Sequence, residues 1–123
     1  MKLLPLTASL LVMSNPLLAE DCSTPASPTL PKGAESTMEQ MLEGQKAVKA
    51  FQAANIEYMC CREEEFMAAE ARSKGGDDEK ARAAAHSEYN EAIAAYTEAV
   101  SEEETVAGQF TTEIRAYKEA NSQ

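Results

Sequence analysis

Between His86 and Tyr117 one set of residues recurs at strictly alternating spacings of three and four: His86, Tyr89, Ile93, Tyr96, Val100, Glu103, Ala107, Phe110, Ile114 and Tyr117. Eight of these ten positions are apolar or aromatic. A strand reverses its side chains at every residue, so only a helix keeps such a set on one face. A seam sustained this long is of the heptad kind that packs against a second helix. Asp77 and Asp78 stand just before it, where an acidic N-cap suits the positive end of a helix. The spacing predicts a helix over 78–120.

The partner helix lies upstream. Ser36 followed by Glu39 has the spacing of a capping box. Beyond it Met38, Met41, Leu42, Val48, Phe51, Asn55, Met59 and Phe66 form a looser stripe, which predicts a helix over 36–73. Gly75-Gly76 supplies a turn over 74–77. So short a connection makes the two helices antiparallel neighbours. At 1.5 Å per residue they extend ~55 and ~65 Å. With the turn centred on the glycines, facing residues have numbers adding to about 151. Met41 then meets Phe110, Phe51 meets Val100, Met59 meets Ala92 and Phe66 meets Ala85. Gly44 falls opposite Ala107 and Gly108, and Asn55 opposite Tyr96 as a polar register pair.

Ahead of the helices, residues 20–35 form an arm in which Pro25, Pro28 and Pro31 favour an extended chain. The expected fold is therefore all-α: an antiparallel two-helix coiled-coil hairpin, residues 36–121, with an extended Pro-rich N-terminal arm. The three cysteines decide how the arm is held. Cys60 and Cys61 are adjacent and on a helix point about 100° apart, so they do not pair with each other. Cys22 can reach either one. From Cys22 to Ser36 an extended arm covers ~43 Å, and from Ser36 to Cys61 a helix rises ~38 Å, so the arm folds back beside the helix at Lys32-Gly33. Cys61 shares a face with Ala47, Phe51, Ala54 and Tyr58, and Cys60 a more mixed one with Lys49, Ala53, Ile56 and Glu63. Cys61 is the favoured partner and Cys60 the alternative.

A disulfide implies an oxidising compartment, and the first residues agree. Lys2, the apolar run from Leu3 to Met13, the breaker Asn15-Pro16 and small Ala19 have the order of a secretory signal over 1–19. The run is shorter than the ~20 residues of a spanning helix, so membrane insertion after signal removal is not expected. Asp21 before Cys22 is a poor context for a lipid anchor. Cleavage after Ala19 leaves 104 residues, enough for one domain, and changes the net charge from −10 to −11 by removing Lys2. A chain this acidic repels nucleic acid and anionic lipid, while a basic protein partner remains compatible with it. The expected location is periplasmic or secreted.

Candidate chemistry is sparse. Glu63-Glu64-Glu65 and Glu102-Glu103-Glu104 fan around a helix and form solvated faces, with Glu103 alone in the seam. His86 is the only histidine. Position 83 is Ala, so the Glu-x-x-His pair of a di-metal bundle is missing. No Cys-x-x-Cys-His haem attachment and no Cys-x-x-Cys redox pair is present. Neither cofactor, metal nor catalytic residue is expected. Tyr89–Val100 (YNEAIAAYTEAV) resembles the second helix of a tetratricopeptide repeat over 12 residues, without the preceding helix or the period of that repeat.

A broader pattern covers residues 22–61: Cys22, then Pro28-Thr29-Leu30-Pro31, then Thr37-Met38-Glu39-Gln40-Met41, Val48, Phe51 and Tyr58-x-x-Cys61. It resembles a family of small exported bacterial proteins of uncharacterised activity. The resemblance implies export and a Cys22–Cys61 disulfide, and it carries over no activity and no role for Cys60. These readings lead to a non-enzymatic envelope protein with an interaction or structural role. A hairpin alone leaves Ile56, Met67 and Val106 beside the main seam, so self-association into a dimer with Cys60 near its interface is expected. The alternatives are a periplasmic binding or holdase-like chaperone for basic or unfolded partners, and a metal- or cofactor-binding bundle.

Overall fold

A computed structural model describes residues 22–122, and the expected signal over 1–19 lies outside the described residues. The chain is an antiparallel two-helix hairpin with an N-terminal arm disulfide-bonded to the first helix. A short 3-10 turn, Gly33–Glu35, ends the arm. Helix α1 spans Met38–Lys74 and helix α2 spans Glu79–Asn121.

Each boundary has a chemical cause. Helix α1 starts after Thr37 and not at Ser36. The Thr37 hydroxyl accepts from the Gln40 backbone N–H, and the Gln40 side chain accepts from the Thr37 N–H, a reciprocal box one residue later than the one built on Ser36 and Glu39. Ser36 turns back to donate to the Lys32 carbonyl at 2.6 Å. Gly76 has φ of 78°, the left-handed region that side chains avoid, and so needs glycine. Asp78 caps α2 by accepting from the Lys80 N–H. The residues between the helices are therefore 75–78.

The turn has the expected four residues but is displaced by one, and this moves the register. The helix ends Lys74 and Glu79 add to 153, not 151. Asn55 is opposite Ala99, to whose carbonyl its side-chain amide donates at 3.0 Å, and not opposite Tyr96. On α1 the buried residues keep the alternating spacing from Met41 through Gly44, Val48, Phe51 and Asn55 to Tyr58. On α2 the buried line is Ala85, Ala92, Ala99 and Val106, one residue per heptad, then Phe110. The seam read from the sequence is thus rotated by one residue. His86 is exposed, while Tyr89, Ile93, Tyr96 and Val100 are half-buried on its flank. Val106 is at the centre of the core with Met41, Val48, Phe51 and Phe110, and not beside it.

The flanks are used. Phe66 meets Tyr89 and Tyr96 edge-on at ring separations of 6.1 and 5.8 Å. Arg72 bridges to Glu88 at 2.6 Å near the turn.

The arm packs over the hairpin. Cys22, Pro25, Pro28 and Pro31 are all half-buried. They recur every third residue, the period of an extended proline-rich chain, so one edge of the arm faces the helices. At its end Gly33 is pressed onto α2. A β-carbon there would overlap the Glu113 carbonyl oxygen, and the Gly33 N–H donates to the Glu113 carboxylate at 2.6 Å. Gly44 is close to the arm, with Pro31 nearest, and not to Gly108, which faces open space.

Candidate functional site

The groove between arm and hairpin brings polar side chains of the arm and both helices together. It begins at the staple. Cys22 and Cys61 are joined with a Cα separation of 5.7 Å, and Cys60 is free and exposed. Of the two partners open to Cys22, the fold therefore uses Cys61. The Cys22 sulfur lies 3.2 Å from the Glu65 carboxylate. A disulfide sulfur carries no proton, so this is a contact and not a hydrogen bond. The two sulfurs and a Glu65 oxygen lie within 4.8 Å of one another, a spacing that a metal site could have. Both sulfurs are consumed in the bridge, so neither is the thiolate that a soft metal requires.

Arg62 and Glu65 continue the spacing of the α1 seam, so the core turns polar beneath the start of the arm. Arg62 pairs with Glu65 at 2.8 Å and donates through Nε to the Tyr58 hydroxyl at 3.1 Å. Its guanidinium also lies 5.3 Å from the centre of the Tyr58 ring, a cation–π contact. Thr24 of the arm hydrogen-bonds the same hydroxyl. Thr24 first, and Arg62 after it, hold the Tyr58 phenol below its usual range, against the opposing effect of burial. The Tyr58 hydroxyl in turn, together with Glu65, holds Arg62 in its charged form.

Beyond Tyr58 the arm arches over a cavity of about 390 Å³ lined by residues of all three segments, among them Pro25, Phe51, Asn55, Tyr58, Glu98 and Glu102. Ser27 donates to Glu102 and ties the arm to α2 at its rim. A larger open cleft of about 840 Å³ lies between the end of the arm and the first turns of α1, bordered by Leu30, Lys32, Glu39 and Glu43.

The outer side of α1 has a different character. Met38, Leu42, Ile56 and Met67 are each more than half exposed. At 100° per residue these four and Cys60 fall within about 40° of one another, well away from the buried seam. Ile56, Met67 and Cys60 thus share one exposed face, as their helical spacing requires. Glu103 is half-buried and His86 is exposed, stacked on Tyr89. The Arg62–Tyr58–Thr24 group escapes sequence reading, although Tyr58 and Arg62 stand four apart on one helix face. Among the described residues no helix is long and apolar enough to cross a membrane.

No protein-family model matches this chain, and neither do curated proteins or solved structures.

Proposed function

We propose that this protein is an exported, non-enzymatic helical module that works by surface association through the outer face of α1, with a second copy of the chain as its first partner. The observation that carries the reading is the row of Met38, Leu42, Ile56 and Met67, exposed on one side of a helix whose opposite side is fully used in the hairpin. Charge favours α1 over α2 for contact between copies. Helix α1 has seven acidic and five basic residues, whereas α2 has nine and four, so two α1 faces repel least. The staple supports export, because such a bridge persists in an oxidising compartment. A holdase-like role is the second reading, favoured by Met38 and Met67, whose flexible thioethers adapt to varied apolar partners.

Light scattering and sedimentation on the folded chain test the first reading. The wild type should be a dimer at tens of micromolar, and Ile56→Glu with Met67→Glu should be a monomer of unchanged helicity. A wild-type monomer rejects self-association. If that monomer suppresses aggregation of unrelated unfolded proteins and the double variant does not, the holdase reading takes its place.

A further inference from the structure

The cavity beneath the arm is lined by donors already engaged within the fold, Ser27 with Glu102 and the Asn55 amide nitrogen with the Ala99 carbonyl, and by carboxylate acceptors with further capacity. The charged side chains on it are two carboxylates, Glu98 and Glu102, one helical turn apart at the rim. Its floor is Phe51, Tyr58 and Asn55. Asn55 is 2% exposed. Its amide nitrogen is committed to the Ala99 carbonyl, which fixes the helix register. Its amide oxygen receives no hydrogen bond from any described residue. Yet no described buried side-chain oxygen or nitrogen is sealed away without a partner. Asn55 lines the cavity, so this oxygen can accept from a donor placed there. A register role alone uses only the nitrogen.

A ligand must then bring hydrogen-bond donors to the floor, positive charge to the rim, and apolar surface for Phe51 and Pro25. We infer that this cavity binds a small primary alkylammonium group, its N–H donors directed to Asn55 and the Glu98 and Glu102 carboxylates and its alkyl stem against Phe51 and Pro25. About 390 Å³ is within the range of small-ligand sites and roomy for such a group. The same chemistry is offered by a free amine and by a lysine side chain of a basic protein. This site is on the arm side of the hairpin and does not depend on the outer face of α1.

The test is a titration of the full disulfide-bonded chain, followed by backbone amide NMR shifts. Probes are n-butylammonium, cadaverine, the neutral isostere n-butanol, and lysine capped at both backbone ends. The two free amines should shift the amides of Asn55, Tyr58, Ala99 and Glu102 saturably, and n-butanol should not. Glu98→Gln with Glu102→Gln should weaken binding about tenfold or more, the scale of one charge-assisted hydrogen bond. Both positions are exposed, and unchanged helicity and denaturation midpoint confirm that the variant is folded. Ile56→Glu should bind as the wild type does, which separates this site from the self-association face. Capped lysine binding as well as the free amines supports the site and extends it to protein side chains, whereas binding of free amines alone supports it and restricts the ligand to small amines. Absence of saturable shifts, equal binding of n-butanol, or undiminished binding by the double glutamine variant overturns the proposal.

Discussion

Gly44 of α1 and Pro31 of the arm pack so closely that a β-carbon added to Gly44 would lie 2.7 Å from two atoms of the proline ring and 3.3 Å from Phe110. The proline ring cannot move aside as a flexible side chain can. Gly44→Ala gains up to ~1 kcal/mol of helix propensity but incurs overpacking of ~1–3 kcal/mol. The expected net loss, taking the full gain, is up to ~2 kcal/mol. Gly108, inside α2, meets nothing within 4 Å. Gly108→Ala should therefore stabilise by roughly 0.5–1 kcal/mol. Opposite signs in denaturant midpoints for these two helical glycines would establish that the arm is seated on Gly44. Equal gains would mean that it is not.

The same contact shows where sequence reading stops. Helix count, helix polarity and the turn at Gly75-Gly76 follow from spacing alone, because glycine at φ of 78° and capping by Asp78 are local properties. The seam of α2 does not follow. Counting large apolar residues selects Tyr89, Ile93, Tyr96 and Val100, but the innermost line is Ala85, Ala92 and Ala99. Small residues let two helices approach, and the large ones then pack across the flanks, as Phe66 does on Tyr89 and Tyr96. The Asn55–Ala99 bond is illegible for a related reason. Its acceptor is a backbone carbonyl, which leaves no trace in residue type, and its register depends on a turn displaced by one residue from the one the glycines suggest. The site beneath the arm is hidden too. Cys22, Pro25, Pro28 and Pro31 have a visible period of three, but only the packed arm turns Thr24 toward Tyr58 and Ser27 toward Glu102.

Substitutions on α2 separate the two versions of its seam. Ala99 is 5% exposed, so Ala99→Leu forces a larger side chain between the helices and should cost ~1–3 kcal/mol. Ala94 is exposed, and Ala94→Leu should change stability by no more than ~0.5 kcal/mol. Val106, 3% exposed, should lose more on change to Ala than half-buried Val100 does. Urea denaturation of the four variants decides it, and the reverse ranking would restore the seam centred on Ile93 and Val100.

Removing the staple should be felt through the unfolded chain. Cys22 and Cys61 are 39 residues apart, and on the loop-entropy account closing that span stabilises by about 4 kcal/mol. Cys22→Ser should approach that loss and should free the arm, so that limited proteolysis cuts between residues 22 and 32. Cys60→Ser should leave the denaturation midpoint unchanged, because that thiol is exposed and outside the bridge. Mass mapping under non-reducing conditions should join the Cys22 peptide to the one that contains Cys61. A midpoint that falls on loss of Cys60 instead would assign the bridge to the wrong cysteine.

The Tyr58 phenol is held below its ordinary value of 10.0 by Thr24 and then by Arg62. Absorbance near 295 nm should therefore show one of the four tyrosines of the chain ionising before the others. Tyr58→Phe should remove that early step. Thr24→Val and Arg62→Gln should each move it toward the ordinary range, the first by more, because Thr24 is the larger influence. The sign for stability follows from proton counting. Above the folded pKa and below 10.0, the unfolded chain holds the Tyr58 proton and the folded chain has released it, so this group makes the fold more stable as pH rises through that window. The contribution persists above 10.0 and disappears as pH falls through the folded pKa, leaving nothing from this group at neutrality. Comparing urea midpoints of wild type and Tyr58→Phe on either side of the window should show the difference between them widening toward alkaline pH. A constant difference would mean that Thr24 and Arg62 do not favour the phenolate, and that the arm is not seated on Tyr58 as described.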